Sequence, residues 1–271
     1  MPDVIRLEYR NVTMRFTESG GHSLTAVREV SFAVGDGEVV SLIGPSGCGK
    51  STLLNIGSGL AAPSEGTAFV DGERVEGPNA HVAFMLQKDL LLPWRTVEQN
   101  VMFGVEIQGV APAERKRRAQ ALLDNLKLSE FSRHYPHQLS GGMRQRVALA
   151  RTLAVDPSVL LLDEPFSAVD AQTRMVLQRE LAQTLKRAGK TALLITHDLL
   201  EAVTLSDRVL VMSRRPGRII DELQIDIPGR DDPLARRTHP KVQDFVARLM
   251  QRLDIGAPED LGAPDATRVP A

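Results

Sequence analysis

Residues 44–52 read Gly44-Pro45-Ser46-Gly47-Cys48-Gly49-Lys50-Ser51-Thr52. This stretch fits the pattern G-x-x-x-x-G-K-[ST], in which glycines let backbone N–H groups turn inward around phosphates. The helix that follows presents the positive end of its dipole to the anion. Lys50 supplies a charge for the β- and γ-phosphates, and the Ser51 hydroxyl is a ligand for Mg²⁺. All nine residues are therefore predicted to bind a nucleoside triphosphate.

The surrounding pattern alternates strands and helices. A strand is predicted over residues 38–43 directly before the phosphate loop, and a helix over residues 50–60 directly after it. Two continuous apolar runs, 159–162 and 192–195, indicate strands of a parallel sheet that is covered on both faces. A helix predicted over residues 171–188 lies between these two strands. This order implies a right-handed crossover and an α/β core.

Additional elements are expected on either side of this core. Strands are predicted over residues 5–16, 27–34, 67–70 and 82–87. Residues 97–155 carry helix formers and few β-branched residues, so they are interpreted as a mostly helical insertion.

The composition excludes several function classes. Lys and Arg total 33 against 34 Asp and Glu, so the charge offers no general attraction to nucleic acid. The single cysteine, Cys48, cannot form a disulfide within the chain, which favours a reducing compartment. No apolar run approaches the roughly 20 residues of a membrane span, and the first ten residues lack the apolar core of a signal peptide. We therefore expect a cytoplasmic protein whose membrane role, if any, requires a partner.

An acidic pair follows one of the buried strands. Asp163 and Glu164 come directly after residues 159–162, at the strand end where open α/β sheets bind their ligands. Asp163 is suited to hold Mg²⁺. Glu164 can polarise an attacking water as a general base.

One further motif identifies the family. Residues 139–146 read Leu-Ser-Gly-Gly-Met-Arg-Gln-Arg and closely resemble the signature sequence of ABC ATPases. The resemblance extends over residues 7–220 with the motifs in the family's order, and it implies that ATP is the nucleotide. It departs at Met143, where many relatives have Gln. The resemblance implies that Ser140, Gly141 and Gly142 bind the γ-phosphate of ATP held by a second copy of the chain.

The remaining site residues are implied by the same resemblance. Gln87 looks like the glutamine that senses Mg²⁺ and the attacking water. His197 looks like the switch histidine that contacts the γ-phosphate, and Asp170 like the aspartate of the dimer interface. Phe16 takes the position of the aromatic residue that stacks on adenine, although a core role for Phe16 stays open. Cys48 is either a small residue that fits the loop or an oxidation-sensitive thiol.

The family fold implies an α/β architecture with a P-loop NTPase (RecA-like) core and a mixed sheet. An N-terminal antiparallel β-subdomain and an inserted α-helical subdomain complete it. We expect one ABC ATPase domain over residues 1–256, with the core at about 1–90 and 157–225 and the helical subdomain at about 91–156. Residues 226–256 form a C-terminal extension with an amphipathic helix over 241–253. Residues 257–271 are expected to be a flexible tail.

Three segments resemble the subgroup that serves nitrate, sulfonate and taurine importers, namely residues 91–101, 170–174 and 213–219. The resemblance implies a homodimer that couples ATP hydrolysis to solute uptake through integral membrane permease subunits. A solute-binding protein would be an indirect partner. The chain would then lie at the cytoplasmic face of the inner membrane as a peripheral subunit. Trp94 is either a contact for the permease or a core residue.

Three alternatives belong to other classes. ABC ATPases that act on DNA or ribosomes carry long coiled coils or two ATPase units, and neither is visible here. P-loop kinases and GTPases would leave residues 139–146 unexplained, and the Asn-Lys-x-Asp guanine motif is missing. A catalytically dead regulatory subunit is disfavoured because the expected site residues are all present, namely Lys50, Asp163, Glu164 and His197.

Overall fold

The computed structural model describes residues 4–17, 23–167 and 169–254. Its strands are β1 (Ile5–Thr17), β2 (Ser23–Gly35), β3 (Val39–Ile43), β4 (Glu65–Val70), β5 (Glu73–Arg74), β6 (Val82–Met85), β7 (Val159–Asp163), β8 (Thr191–Ile195), β9 (Arg208–Met212) and β10 (Ile219–Gln224). Its α-helices are α1 (Lys50–Gly57), α2 (Val97–Ile107), α3 (Pro112–Asn125), α4 (Gly141–Ala154), α5 (Ala171–Ala188), α6 (Leu199–Leu205), α7 (Pro233–Arg237) and α8 (Lys241–Arg252). Two 3₁₀ turns, Ser129–Phe131 and Pro136–Gln138, connect α3 to α4. The expected tail over residues 257–271 lies outside the described residues.

The strands form two sheets. The smaller sheet is antiparallel, with the order β2-β1-β4-β5. The larger sheet has the order β10-β9-β3-β8-β7-β6 and is parallel except for β10, which runs antiparallel to β9. β3 and β8 are buried along their whole length, as expected for strands covered on both faces. The predicted mixed sheet and N-terminal antiparallel sheet are thus confirmed.

Apolar clusters on the two faces of the large sheet form the core. On one face, Leu160 and Leu162 of β7 pack with α2, α3, α4 and α5. On the other face, Val159 and Leu161 pack with α1 and the antiparallel sheet. Because side chains alternate along a strand, this single run contributes to both clusters. A third cluster lies between α6, α8 and strands β9 and β10.

Two predicted elements are shorter than expected. The helix predicted over residues 50–60 ends at Gly57, because Gly59 takes a φ of 77° and the Leu60 N–H bonds back to the Asn55 carbonyl. The strand predicted over residues 82–87 ends at Met85, which pairs with Leu162 at the edge of the sheet. Residues 86 and 87 therefore belong to a loop, and both are exposed.

The predicted helices at the end of the chain are present. α5 has the predicted bounds, with Asp170 as its N-cap and Gly189 in the left-handed region as its C-cap. The helix predicted over residues 241–253 is α8, one residue shorter. Its stripe of Val242, Phe245 and Leu249 is buried against α6, with Val246 and Leu253 partly buried beside it. The amphipathic stripe therefore docks on the core.

Candidate functional site

The phosphate loop connects β3 to α1, as the sequence predicted. Gly49 precedes α1 with a φ of 102°, and a Cβ at this position would lie 2.4 Å from Val27 Cγ1. Only glycine fits this close approach between the loop and β2. Lys50 is only 9 % exposed, and its Nζ donates to the carbonyl oxygens of Gly44 at 2.8 Å and Pro45 at 3.0 Å. The ammonium group is thus held over the loop that is predicted to surround the phosphates.

A cavity of about 280 Å³ opens beside this loop. It is lined by Phe16, Leu24, Ala26, Ser46, Gly47, Gly49, Lys50, Ser51, Thr52, Glu164, Ile195 and Arg215. Phe16 lies near the end of β1 and is 43 % exposed, so a core role for this ring is excluded. The structure therefore brings the predicted adenine-stacking aromatic, the phosphate loop and the predicted general base to one cavity.

The predicted metal ligands lie at the end of β7. Ser51 in the first turn of α1 acts on the Asp163 carboxylate at the end of β7, where it lowers the pKa of that group. Burial raises the pKa of Asp163, and the neighbouring Glu164 carboxylate adds to this, while Ser51 and Lys50 act in the opposite direction. A hydroxyl and a carboxylate oxygen are the hard ligands that Mg²⁺ prefers. The residues present therefore fit a magnesium ion bound next to the phosphate loop.

Three predicted catalytic side chains meet at one atom. Gln87 Nε2 donates to Glu164 Oε2 at 3.0 Å, and His197 Nδ1 lies 3.3 Å from the same oxygen. Glu164 has a φ of 45°, in the left-handed region that is costly for a residue with a Cβ. Its N–H donates to the Ile195 carbonyl at 3.0 Å, and its carbonyl accepts from Ser167. These bonds hold the residue whose carboxylate lines the cavity.

The signature residues lie elsewhere in the described part of the chain. The Ser140 hydroxyl caps α4 by accepting the Met143 N–H at 3.3 Å, and Gly141 and Gly142 form the first turn of that helix. Asp170 caps α5, and the hydrogen bonds from Thr173 and Gln172 lower its pKa. None of these four residues lines the cavity at the phosphate loop. They are exposed or partly exposed, and thus accessible to a second molecule.

Arg215 is a lining residue that sequence reasoning missed. Its Nε and its second guanidinium nitrogen both donate to the Gly47 carbonyl oxygen, at 2.9 and 2.8 Å. The sequence of residues 213–219 indicated only a resemblance to an importer subgroup, and no local pattern indicates a contact with residue 47.

Cys48 is 1 % exposed, with its Sγ 3.8 Å from Lys50 Nζ. The thiol is therefore shielded inside the loop.

Trp94 is not a core residue, so that interpretation was wrong. Its side chain is 71 % exposed at the start of the helical insertion. It borders a groove that is lined by Trp94, Arg95, Gln99, Met102, Glu106, Pro112, Arg115 and Lys116. The physical reason is that the apolar interior of this region is already filled by α2, α3 and α4, which leaves the indole outside.

These observations define a class of protein. The large, mostly parallel sheet carries a phosphate loop after β3 and a carboxylate suited to Mg²⁺ at the end of β7. Beside it, Glu164 is contacted by Gln87 and His197. These features make this a P-loop nucleotide hydrolase of the α/β class. No helix of the described residues is long and apolar enough to cross a membrane.

Comparison with known proteins identifies the family. The family model described as ABC transporter matches residues 27–167. The chain is 46 % identical over 223 residues to an uncharacterised ABC transporter ATP-binding protein of Methanocaldococcus jannaschii, covering 82 % of this chain and 83 % of that protein. It is 45 % identical to a taurine import ATP-binding protein of Jannaschia sp., covering 81 % and 82 % of the two chains. A nitrate import ATP-binding protein of Synechocystis sp. is also 45 % identical, with coverage of 87 % and 88 %.

A solved structure agrees with these sequence matches. The dimeric ATP-binding cassette MJ0796, in a post-hydrolysis state bound to ADP and Pi, superimposes with a TM-score of 0.72 at 31 % identity. The match covers 82 % of this chain and 99 % of that one. The chain belongs to the ABC transporter family, and it is an ATPase of that family.

Proposed function

We propose that this chain is the ATP-hydrolysing subunit of an ABC importer and that it works as a homodimer. The main observation in support of ATP hydrolysis is that Gln87 and His197 both approach one carboxylate oxygen of Glu164. The similarity to taurine and nitrate import ATP-binding proteins over more than four fifths of the chain supports uptake of a small anionic or zwitterionic solute. An integral membrane permease would carry that solute, and a solute-binding protein would deliver it.

The chemistry follows from the side chains at the cavity. Glu164 accepts a proton from the attacking water and orients it in line with the γ-phosphate. His197 contacts that phosphate, and Lys50 stabilises the charge that develops on its oxygens. Ser51 and Asp163 would hold Mg²⁺, with Gln87 beside them. The ion supplies charge neutralisation at the phosphate oxygens.

Binding uses two surfaces of the chain. The phosphate loop, residues 44–52, binds the phosphates through the backbone N–H groups of its residues other than Pro45, and Phe16, which lines the same cavity, stacks on adenine. Ser140, Gly141 and Gly142 begin α4, and their N–H groups form a second anion site for ATP bound to the other copy. Asp170 lies at the same interface. The separation of these residues from the cavity supports a complete site that needs two chains.

The remaining expectations concern organisation and location. We infer one ABC ATPase domain over residues 1–256, with a helical subdomain at about 91–156 and a C-terminal extension at 226–256. The chain would lie at the cytoplasmic face of the inner membrane through its permease. The exposed indole of Trp94 and the groove beside it are the candidate permease contact.

Glu164→Gln tests the hydrolysis mechanism. We expect at least a 100-fold loss of ATPase turnover, because the amide cannot accept the proton, with ATP binding retained. The same variant should form a dimer on ATP addition, measured by analytical ultracentrifugation, since hydrolysis would no longer separate the two copies. Glu222→Gln, an exposed glutamate on β10, is the matched control and should keep wild-type turnover. Near-normal turnover of Glu164→Gln would refute the assigned base.

The importer assignment needs the native complex. The tagged chain would be extracted from its membranes in mild detergent, and the proteins that co-purify identified by mass spectrometry. A polytopic membrane protein in equal amount supports the importer, and Trp94→Ala should reduce its recovery. Recovery with DNA or ribosomes instead would overturn the transport assignment and leave the ATPase standing.

A further inference from the structure

Residues 213–218, here called the strap, connect β9 to β10 and contact the phosphate loop at Gly47 and Cys48. The Ser213 N–H donates to the Arg218 carbonyl at 2.9 Å, and the Arg218 N–H donates to Ser213 Oγ at 3.0 Å. Ser213 Oγ in turn donates to the Pro216 carbonyl at 3.2 Å. The strap is therefore a turn closed by its own hydrogen bonds, with a defined shape.

Gly217 attaches the strap to the rest of the site. Its N–H donates to the Ala26 carbonyl and its carbonyl accepts the Arg28 N–H, both at 2.9 Å. A Cβ at this position would lie 2.0 Å from the Cys48 carbonyl oxygen, so a larger residue would push the strap off the loop. The strap is thus held between β2 and the phosphate loop independently of the Arg215 side chain.

Arg215 extends from this anchored turn to one peptide group of the loop. Two of its N–H groups donate to the Gly47 carbonyl oxygen, at 2.9 and 2.8 Å. A trans peptide holds its C=O and N–H antiparallel, so a Gly47 carbonyl that accepts from the guanidinium turns the Cys48 N–H away from Arg215. That N–H donates to the Pro45 carbonyl at 3.3 Å, within the loop. Inward N–H groups are what a phosphate-binding loop uses.

We propose that Arg215 is a positioning residue for nucleotide binding, acting by fixing the Gly47–Cys48 peptide in the phosphate-binding orientation. Gly47 has a φ of 74° and no side chain to restrict it, so this peptide is held by the bond from Arg215 on its carbonyl side and by the 3.3 Å bond from the Cys48 N–H to the Pro45 carbonyl. The guanidinium also adds a positive charge at the wall of the cavity that Phe16 and Lys50 share. The inference rests on the proposed function for the identity of the nucleotide and goes beyond it in the residue assigned.

Arg215→Ala tests the proposal through the split between KM and kcat. We expect the KM for ATP, and the Kd of a fluorescent ATP analogue measured by direct titration, to rise about tenfold, because a charged hydrogen-bond pair to the loop is lost. The kcat should change less than twofold, since Glu164 and its partners are untouched. Arg215→Lys keeps the charge but cannot donate in the planar two-bond geometry, so it should lie between Ala and wild type.

Arg218→Ala is the matched control on the same strap. Arg218 is exposed, pairs with Glu29 at 3.2 Å and does not line the cavity, so KM and Kd should stay at wild-type values. Because Gly217 anchors the strap, the thermal unfolding midpoints of Arg215→Ala and Arg218→Ala should agree within about 3 °C. If the midpoint of Arg215→Ala is lower than that of Arg218→Ala by more than this, the Kd and KM of Arg215→Lys are compared with those of wild type instead.

Two results would overturn the inference. One is a Kd for the analogue that is the same in wild type, Arg215→Ala and Arg215→Lys. The other is a loss confined to kcat, which would make Arg215 part of the chemical step instead of the loop's support. A result that refutes the proposed function can be told apart from these two results. A wild-type protein without ATPase activity would refute the enzyme assignment, while the analogue titration would still measure the effect of Arg215 on binding.

Discussion

A buried glutamate outside the nucleotide site offers a sharp test of the energetics. Glu201 of α6 is 3 % exposed, and its Oε2 accepts from Gln178 Nε2 of α5 at 2.9 Å. Gln178 Oε1 accepts in turn from Arg237 of α7 at 2.9 Å. Burial raises the pKa of Glu201 from 4.5 to about 7. Glu201→Gln should replace the titrating acid with a neutral group that still accepts from Gln178.

The other groups around this carboxyl act in both directions. Hydrogen bonds from Thr196 and Gln178 favour the ionised form of Glu201, and so does the charge of Arg174. The charge of Asp198, which caps α6, disfavours it. Desolvation exceeds all of these contributions. Between about pH 4.5 and 7 the folded protein therefore keeps Glu201 protonated, whereas the same carboxyl is ionised in the unfolded chain.

The sign and size of the effect follow from proton linkage. Between about pH 4.5 and 7 the folded state binds one proton more than the unfolded chain, at Glu201. The contribution of this group to the free energy of unfolding is therefore fully present below pH 4.5 and is lost as the pH rises through 7. The difference between the two pKa values corresponds to an upper limit of about 3 kcal/mol, at ~1.4 kcal/mol per pH unit. Glu201→Gln has no carboxyl to titrate at this position, so it does not lose this stability as the pH rises. The free energy of unfolding of the variant, relative to that of wild type, should therefore increase by up to about 3 kcal/mol between pH 5 and pH 8.

Urea unfolding at pH 5, 6, 7 and 8 measures this gain. Asp163 and Glu180, whose pKa values burial also raises, titrate in both proteins and cancel in the comparison. Glu222→Gln is the control, because it makes the same exchange at a half-exposed side chain of β10, away from the contact between α5 and α6. A stability difference between Glu201→Gln and wild type that stays constant from pH 5 to pH 8 would refute the reasoning.

Substitutions at three further positions test the packing and hydrogen bonding of the fold by urea unfolding. Tyr9→Phe should cost about 1 kcal/mol, because the buried hydroxyl donates to the Leu53 carbonyl at 2.7 Å, and an unchanged midpoint would contradict this. Thr96→Ala should also cost about 1 kcal/mol, since Thr96 forms a capping box with Gln99 at the start of α2; Thr96→Ser, which keeps the cap, should cost less. Trp94→Ala should change the free energy of unfolding by less than about 0.5 kcal/mol, because the ring is 71 % exposed. A loss of several kcal/mol there would contradict the exposed position.

Elements with a strong local signal were predicted well. α5 has its predicted bounds because an Asp cap at residue 170 and a glycine at residue 189 enclose an amphipathic stretch. The runs at 159–162 and 192–195 are buried parallel strands, as continuous apolar sequence indicates. The predicted ends of α1 and β6 were wrong by two or three residues. A strand end depends on whether its neighbour continues, and a helix end on a local reversal at Gly59.

Side chains without a local pattern were predicted poorly. Trp94 stayed undecided between core and surface because an isolated aromatic residue has no periodicity to orient it. Phe16 was assigned only through a family resemblance, and the structure then brought it to the cavity of the phosphate loop. Arg215 was missed, since an arginine in a Pro-Gly turn carries no sign of its partner.

The sequence by itself determined the phosphate loop, the acidic pair after a buried strand, the signature at the start of α4 and the α/β class. Each of these is written in contiguous residues whose backbone geometry follows from local chemistry. Only the tertiary structure brought Gln87 and His197 to the same oxygen of Glu164, and Arg215 to the carbonyl of Gly47, 168 residues away. Those contacts depend on the order of strands in the sheet, which results from packing of the whole core, and no short stretch of sequence encodes that order.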